Sequence, residues 1–131
     1  MMPGLSDVLA KLSVLTRTLE PEQAAVPQNY AGAGARGIPG YLTSVGGQYI
    51  QLEEPEVVST SGSISRVWIT IACVASDRMA SDALALLVQR TLSGTQARRG
   101  IYRPVKLDFA RQTGPGVYVT RPIFEFIHIQ E

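Results

Sequence analysis

Two periods of apolar residues run along this chain, one helical and one extended. Leu5, Val8, Leu9, Leu12, Leu15 and Leu19 are spaced three or four apart and form one stripe on one helix face. Ser6 or Asp7 offers a side-chain acceptor to the free N–H groups of the first turn. Pro21 disfavours helical angles at the residue before it, so the spacing predicts a first helix from about Ser6 to Leu19. From Ile64 to Val74 the period falls to two. Val67, Ile69, Ile71 and Cys73 share one face, and Arg66, Trp68, Thr70 and Ala72 the other, which predicts a central strand. Helical spacing returns over Arg78 to Leu92, capped by Ser76 or Asp77 and ended by Gly94. Met79, Ala83, Leu86, Leu87 and Arg90 make one stripe, which Ala80, Leu84, Val88 and Thr91 widen. The expected core is Ile69, Ile71, Leu84 and Leu87.

Weaker signals fill the remainder. Gln48 to Leu52 and Glu56 to Ser59 predict a strand or strand pair, with a turn at Thr60 to Ser63. Pro55 cannot donate to a ladder, and Glu53, Glu54 and Glu56 discourage stray pairing, so this pair suits a sheet edge. Val105, Leu107 and Phe109 alternate with Lys106, Asp108 and Ala110 as a half-exposed strand. Thr113 to Gly116 turns the chain, and Val117 to Gln130 returns, interrupted by Pro122, which predicts an edge position or a bulge. The order predicts one α+β domain over residues 1–131: a single, mostly antiparallel sheet with two helices packed on one face.

Residues 21–47 differ in kind. Pro27, Pro39 and six of the twelve glycines predict a long irregular loop, functional or disordered. The part from Ala24 to Gly46 is expected to be mobile in the free protein and to order against a partner, the alternative being a fixed cover packed on its own domain. Tyr30, Ile38, Tyr41 and Leu42 would be its anchors, with Arg36 reaching an acidic group. Gly32 to Gly37 matches the spacing of a phosphate-binding turn, which needs a strand before it and a helix after it. Pro27-Gln-Asn-Tyr precedes it and Ile38-Pro-Gly follows, so a flexible loop is the better reading.

Composition narrows the chemistry. The chain has 131 residues, 45% of them apolar, enough for one domain with a real core. A net charge of +1 argues against a general nucleic-acid binder, and no sequence-specific nucleic-acid binding is expected. Cys73 is the only cysteine, so no disulfide forms within the chain. It alternates with Ile69 and Ile71 and reads as core. His128 is the only histidine, so no histidine-based metal cluster forms within one chain. A catalytic Cys73–His128 pair would need hydrogen-bond reach between them. No catalytic set, metal or cofactor is expected. The first residues carry no basic region, and their apolar stretch is broken by Asp7, Lys11 and Ser13. The expectation is no signal peptide and no membrane span.

Charge is segregated along the chain. Arg98, Arg99, Arg103, Lys106 and Arg111 are opposed locally only by Asp108, while Glu53, Glu54 and Glu56 cluster elsewhere. One reading is a solvated loop with arginines near a helix C-terminus. The other is one acidic and one basic edge, so that copies meet head to tail and close a ring. These eight residues, with Arg36 and Tyr41, are the candidate subunit or partner interface.

The element order, with Ile69-Thr-Ile-Ala-Cys-Val-Ala-Ser-Asp leading into an alanine- and leucine-rich helix, resembles phage tail terminator proteins of the minor tail protein U type. The likeness is strongest from Val57 to Glu131. The resemblance implies a homo-oligomeric ring, of six subunits in that family, that caps the tail tube and meets the head–tail connector. It implies no enzymatic activity, no cofactor and no membrane, and a place in the virion tail after assembly in the host cytoplasm. Two alternatives stand beside it. One is another neck, tube or baseplate component. The other is a small ligand-binding module or enzyme with a site between the glycine loop and Arg98 to Arg103.

Overall fold

The computed structural model describes residues 5–34, 36–95, 97 and 100–129. Its elements are α1 (Leu5–Leu12), β1 (Thr18–Leu19), a 3-10 turn (Pro21–Gln23), α2 (Ala25–Gln28), α3 (Gly37–Ser44), β2 (Gln48–Leu52), β3 (Glu56–Ser61), β4 (Ile64–Ala75), α4 (Arg78–Leu92), β5 (Arg103–Gly114) and β6 (Val117–Ile129). The six strands form one sheet, five of them in the order β1-β2-β4-β6-β5, with β3 paired to β4 off that path. Only β1–β2 is parallel. The fold is therefore α+β with a single, mostly antiparallel sheet, as the pattern predicts.

β4 organises the sheet because it is long and apolar on both faces at its C-terminal end. β2 pairs with its C-terminal part and β3 with its N-terminal part, so the two short strands share one side of β4. Gly62, at φ 62, opens the tight β3–β4 turn, where a side chain would be strained. β6 pairs along the other side of β4, and β5 closes the far edge. Pro122 lies in β6, an interior strand, and not at an edge. Its missing N–H coincides with a break in the β4–β6 ladder between Thr70↔Ile123 and Cys73↔Thr120.

α1 and α4 pack on one face over Ile50, Leu52, Val67, Ile69, Ile71, Cys73, Phe124 and Phe126. Asp77 caps α4 by accepting from the Ala80 N–H at 2.8 Å. The helical phase differs from the prediction. Ser81, Leu84, Ala85, Val88 and Leu92 face the sheet, whereas Met79, Leu86 and Leu87 face solvent. α1 is also shorter than its stripe. It ends at Leu12, where Ser13 Oγ donates to the Leu9 carbonyl, and the chain then pairs with β2 through Ile50 N–H to Arg17 O at 2.8 Å. Leu19 thus joins the opposite face of the sheet, because strand pairing outweighs helical spacing here.

Residues 21–47 are not an irregular loop. The 3-10 turn, α2 and α3 fold over the second face of the sheet, where Tyr41 and Leu42 pack with Leu19, Tyr49, Ala72, Val74, Val117 and Val119. Pro39 does not block α3, because it falls in the first turn, where helix N–H groups have no partner within the helix. Tyr30, Tyr41 and Tyr49 stack edge to face, with ring centroids 5.8 Å and 5.1 Å apart. These aromatic anchors pack against the chain's own sheet, so the segment covers that face.

Candidate subunit interface

The acidic and basic residues of the sequence fall on opposite edges of the sheet. Glu53 and Glu54 sit in the link from β2 to β3, and Glu56 opens β3; this is the side of β4 away from β6. Arg103, Lys106 and Arg111 all lie exposed on β5, the far edge. Three strand spacings separate the two edges, roughly 14 Å. Arg98 and Arg99 lie outside the described residues. Arg36 is exposed just before α3. Tyr41 is 5% exposed and faces its own domain, so it is not free to meet a partner.

Local pairing leaves much of this charge open to solvent. Glu53 meets Arg121 of β6 at 3.6 Å, and Lys106 meets Asp108 at 3.4 Å. Such exposed pairs add little stability and leave both edges charged. A tighter cluster lies between the edges. Glu125 Oε1 accepts from Arg66 Nε at 3.0 Å, Arg66 Nη2 at 2.7 Å and Trp68 Nε1 at 3.0 Å. The Arg66 bond first, then that of Trp68, holds the Glu125 carboxyl below its ordinary value.

A groove of about 330 Å³ opens on the second face between the helical cover and the sheet. Tyr49, Val74 and Val119 form its floor, and Gln51, Glu53 and Glu54 part of its rim. It lies beside Arg121, and Arg103 is not among the residues that line it.

The residues weighed for catalysis are not brought together. His128 pairs across from Ser65, eight positions along β4 from Cys73, or roughly 26 Å. Cys73 is fully buried, and burial pushes its thiol pKa up, away from the reactive thiolate. The glycine motif is followed by a helix, contrary to expectation, but α2 rather than a strand precedes it. The strand–turn–helix of a dinucleotide site is absent among the described residues. Those residues also include no group of three or more His, Cys, Asp or Glu placed to hold a metal. No described helix is long and apolar enough to cross a membrane.

Sequence reasoning missed Arg121, the Arg66–Trp68–Glu125 cluster and the 80% exposure of Phe109. The cluster had a signal: Arg66 and Trp68 share the less apolar face of β4.

No protein-family model matches the chain, and no curated protein matches it in sequence. Among solved structures, it resembles a chain of the "Virion of native gene transfer agent (GTA) particle", with 17% identity and a TM-score of 0.53. The likeness covers 90% of this chain and 81% of that one. At that identity what is shared is the fold.

Proposed function

We propose that this chain is a structural virion protein of a phage-like particle, and that it serves there as a tail terminator. Copies join head to tail into a ring that caps the tail tube and presents a surface to the head–tail connector. The observation that carries the virion reading is the fold, shared over nine-tenths of the chain with a chain of a gene transfer agent virion. The ring reading is supported by the charge on opposite sheet edges, Glu54 and Glu56 against Arg103, Lys106 and Arg111. A contact between unlike patches is heterologous and closes into a ring when its rotation allows. Long-range charge complementarity gives such a contact register and partner choice more than strength. In this role the chain has no enzymatic activity and needs no cofactor.

Native mass spectrometry of the purified chain tests the reading. A single closed stoichiometry is expected at low salt. Glu54→Lys with Glu56→Lys should dissociate it without unfolding the chain, and adding Lys106→Glu with Arg111→Glu should restore part of it. A monomer at high micromolar concentration would remove the ring. Open filaments in place of a closed species would favour a tube component over a terminator.

A further inference from the structure

α4 is apolar on two sides. Ser81, Leu84, Ala85, Val88 and Leu92 face the sheet. The opposite side carries a second stripe, Met79, Ala83, Leu86 and Arg90, at spacings of four, three and four. Met79 is 82% exposed, Leu86 47% and Leu87, on the flank of the stripe, 43%. Asp82, Ala83 and Arg90 are exposed too. Alternating spacings of three and four make the seam along which one helix packs on another. A helix with apolar residues all round is ordinarily covered all round. The described residues leave this side of α4 bare.

The charges beside the stripe say what covers it. Asp82 and Arg90 stand eight residues apart. That is about 12 Å along the helix, too far for them to pair within one copy. The Asp82 carboxylate accepts from Thr120 Oγ1 at 3.0 Å, which holds it at the edge of the stripe. Arg90 makes no salt bridge among the described residues. Two such helices laid antiparallel and centred on Leu86 bring residue 82 of each level with residue 90 of the other. A parallel pair would set aspartate on aspartate and arginine on arginine.

The packing fits the same register. Met79, Asp82, Ala83 and Leu86 stand at i, i+3, i+4 and i+7, the four corners of a hole that takes one side chain of a facing helix. Arg90 of a second copy enters that hole. Its stem lies on Met79 and Leu86, Ala83 leaves it room, and its guanidinium meets the Asp82 carboxylate.

We propose that α4 pairs with α4 of a second copy, antiparallel about a twofold axis at Leu86, with Arg90 of each copy against Asp82 of the other. The contact is isologous, the same patch on both chains. It is separate from the edge-to-edge contact of the ring and does not rest on it. With 15 residues α4 is about 22 Å long. The pair therefore lies at the small end of specific interfaces and forms at micromolar concentration.

The test is a single cysteine on the axis. Leu86 is half exposed, so Leu86→Cys leaves the fold intact, and the native Cys73 is fully buried and does not compete. Under mild oxidation Leu86→Cys should bridge to itself in a second copy and run as a dimer on a non-reducing gel. Met79→Cys, on the same stripe, is the control, because its mate lies about 20 Å away and stays unlinked. Native mass spectrometry of the Glu54→Lys with Glu56→Lys chain, which lacks the ring contact, should still show pairs. Arg90→Asp should weaken the pairing by about tenfold or more, and adding Asp82→Arg should restore it. A folded Leu86→Cys chain that stays unlinked, equal linking by Met79→Cys, or no restoration by the reversed charges overturns the pairing and leaves the ring standing. Linking at Leu86→Cys without any closed ring of the wild-type chain overturns the ring and leaves the pairing standing.

Discussion

Tyr102 donates its phenolic hydrogen to Asp7 Oδ2 at 2.7 Å and so ties α1 to the start of β5. The Tyr102 ring is fully buried, edge-on to Phe126, with Lys11 Nζ 5.6 Å from its centre. Lys11 also binds both Asp7 oxygens, at 2.8 and 2.7 Å. Tyr102→Phe keeps the packing and removes one hydrogen bond to a partly exposed carboxylate. The expected cost is about 1 kcal/mol, read from urea unfolding.

The same pair sets a pH dependence. Burial works to raise the Asp7 pKa, but the bonds from Lys11 and Tyr102, with the Lys11 charge, outweigh it. The carboxyl is held below its ordinary value of 3.8. A depressed pKa stabilises the fold above the ordinary value, and that stability is lost as pH falls through the folded value. Tyr102 is shifted the other way, by burial first and then by Asp7. Its contribution is lost as pH rises beyond its ordinary value of 10.0. The stability difference between wild type and Asp7→Asn should therefore be flat near neutrality and shrink below pH 3.8. A difference that grows on acidification would show that Asp7 is not held ionised.

Leu84 and Leu87 lie on different sides of α4, although both belong to the broad apolar pattern of that helix. Leu84 is buried and Leu87 is 43% exposed. Leu84→Ala should cost about 2–5 kcal/mol, the sum of lost transfer energy and a cavity. Leu87→Ala should cost less than about 1 kcal/mol. Chemical denaturation of the two variants separates them, and a reversed order would restore the phase that hydropathy alone suggests.

That phase marks where the sequence stops being legible. The bounds of α4 follow from Asp77 and Gly94, but its inward face does not, because it includes a serine. Ser81 is buried because its hydroxyl reaches the Cys73 carbonyl and Thr120 Oγ1, both at 2.8 Å, and no hydropathy pattern contains those partners. β4 was legible because strict alternation fixes a strand's faces. α1 was overextended because Leu15 and Leu19 keep helical spacing after the chain has turned to pair with β2. α3 was hidden by Pro39 and Gly40, whose costs depend on position within the helix. The opposed charges could be read from the sequence. Their placement on opposite edges needed the sheet order, and the outward turn of Phe109 needed a bulge with no sequence signal.

Ser81 also supports a prediction of its own. Its contacts with Cys73 O and Thr120, and the Thr120 contact with Asp82 at 3.0 Å, share two hydroxyl hydrogens. Ser81→Ala removes one of those hydrogens from a buried site. The expected cost is about 1–3 kcal/mol, because a buried polar group is left without a partner. An unchanged denaturation midpoint would mean that the Thr120 hydroxyl turns to cover the loss.

Tyr41 lies under the helical cover with its hydroxyl buried and without a hydrogen-bond partner among the described residues. Its ring does the packing, edge-on to Tyr30 and Tyr49. Burial, and then the nearby Tyr41, push the Tyr49 pKa up to about 12, which fits a dry environment around both rings. Tyr41→Phe keeps every ring contact and removes a desolvated hydroxyl. It should stabilise the fold by about 1 kcal/mol and leave assembly unchanged. Tyr41→Ala should cost about 3–5 kcal/mol and release α3, with faster hydrogen exchange from Gly37 to Ser44. If Tyr41→Phe instead weakens assembly while the fold stays stable, the hydroxyl serves a partner, and the cover over the second face must open when copies meet.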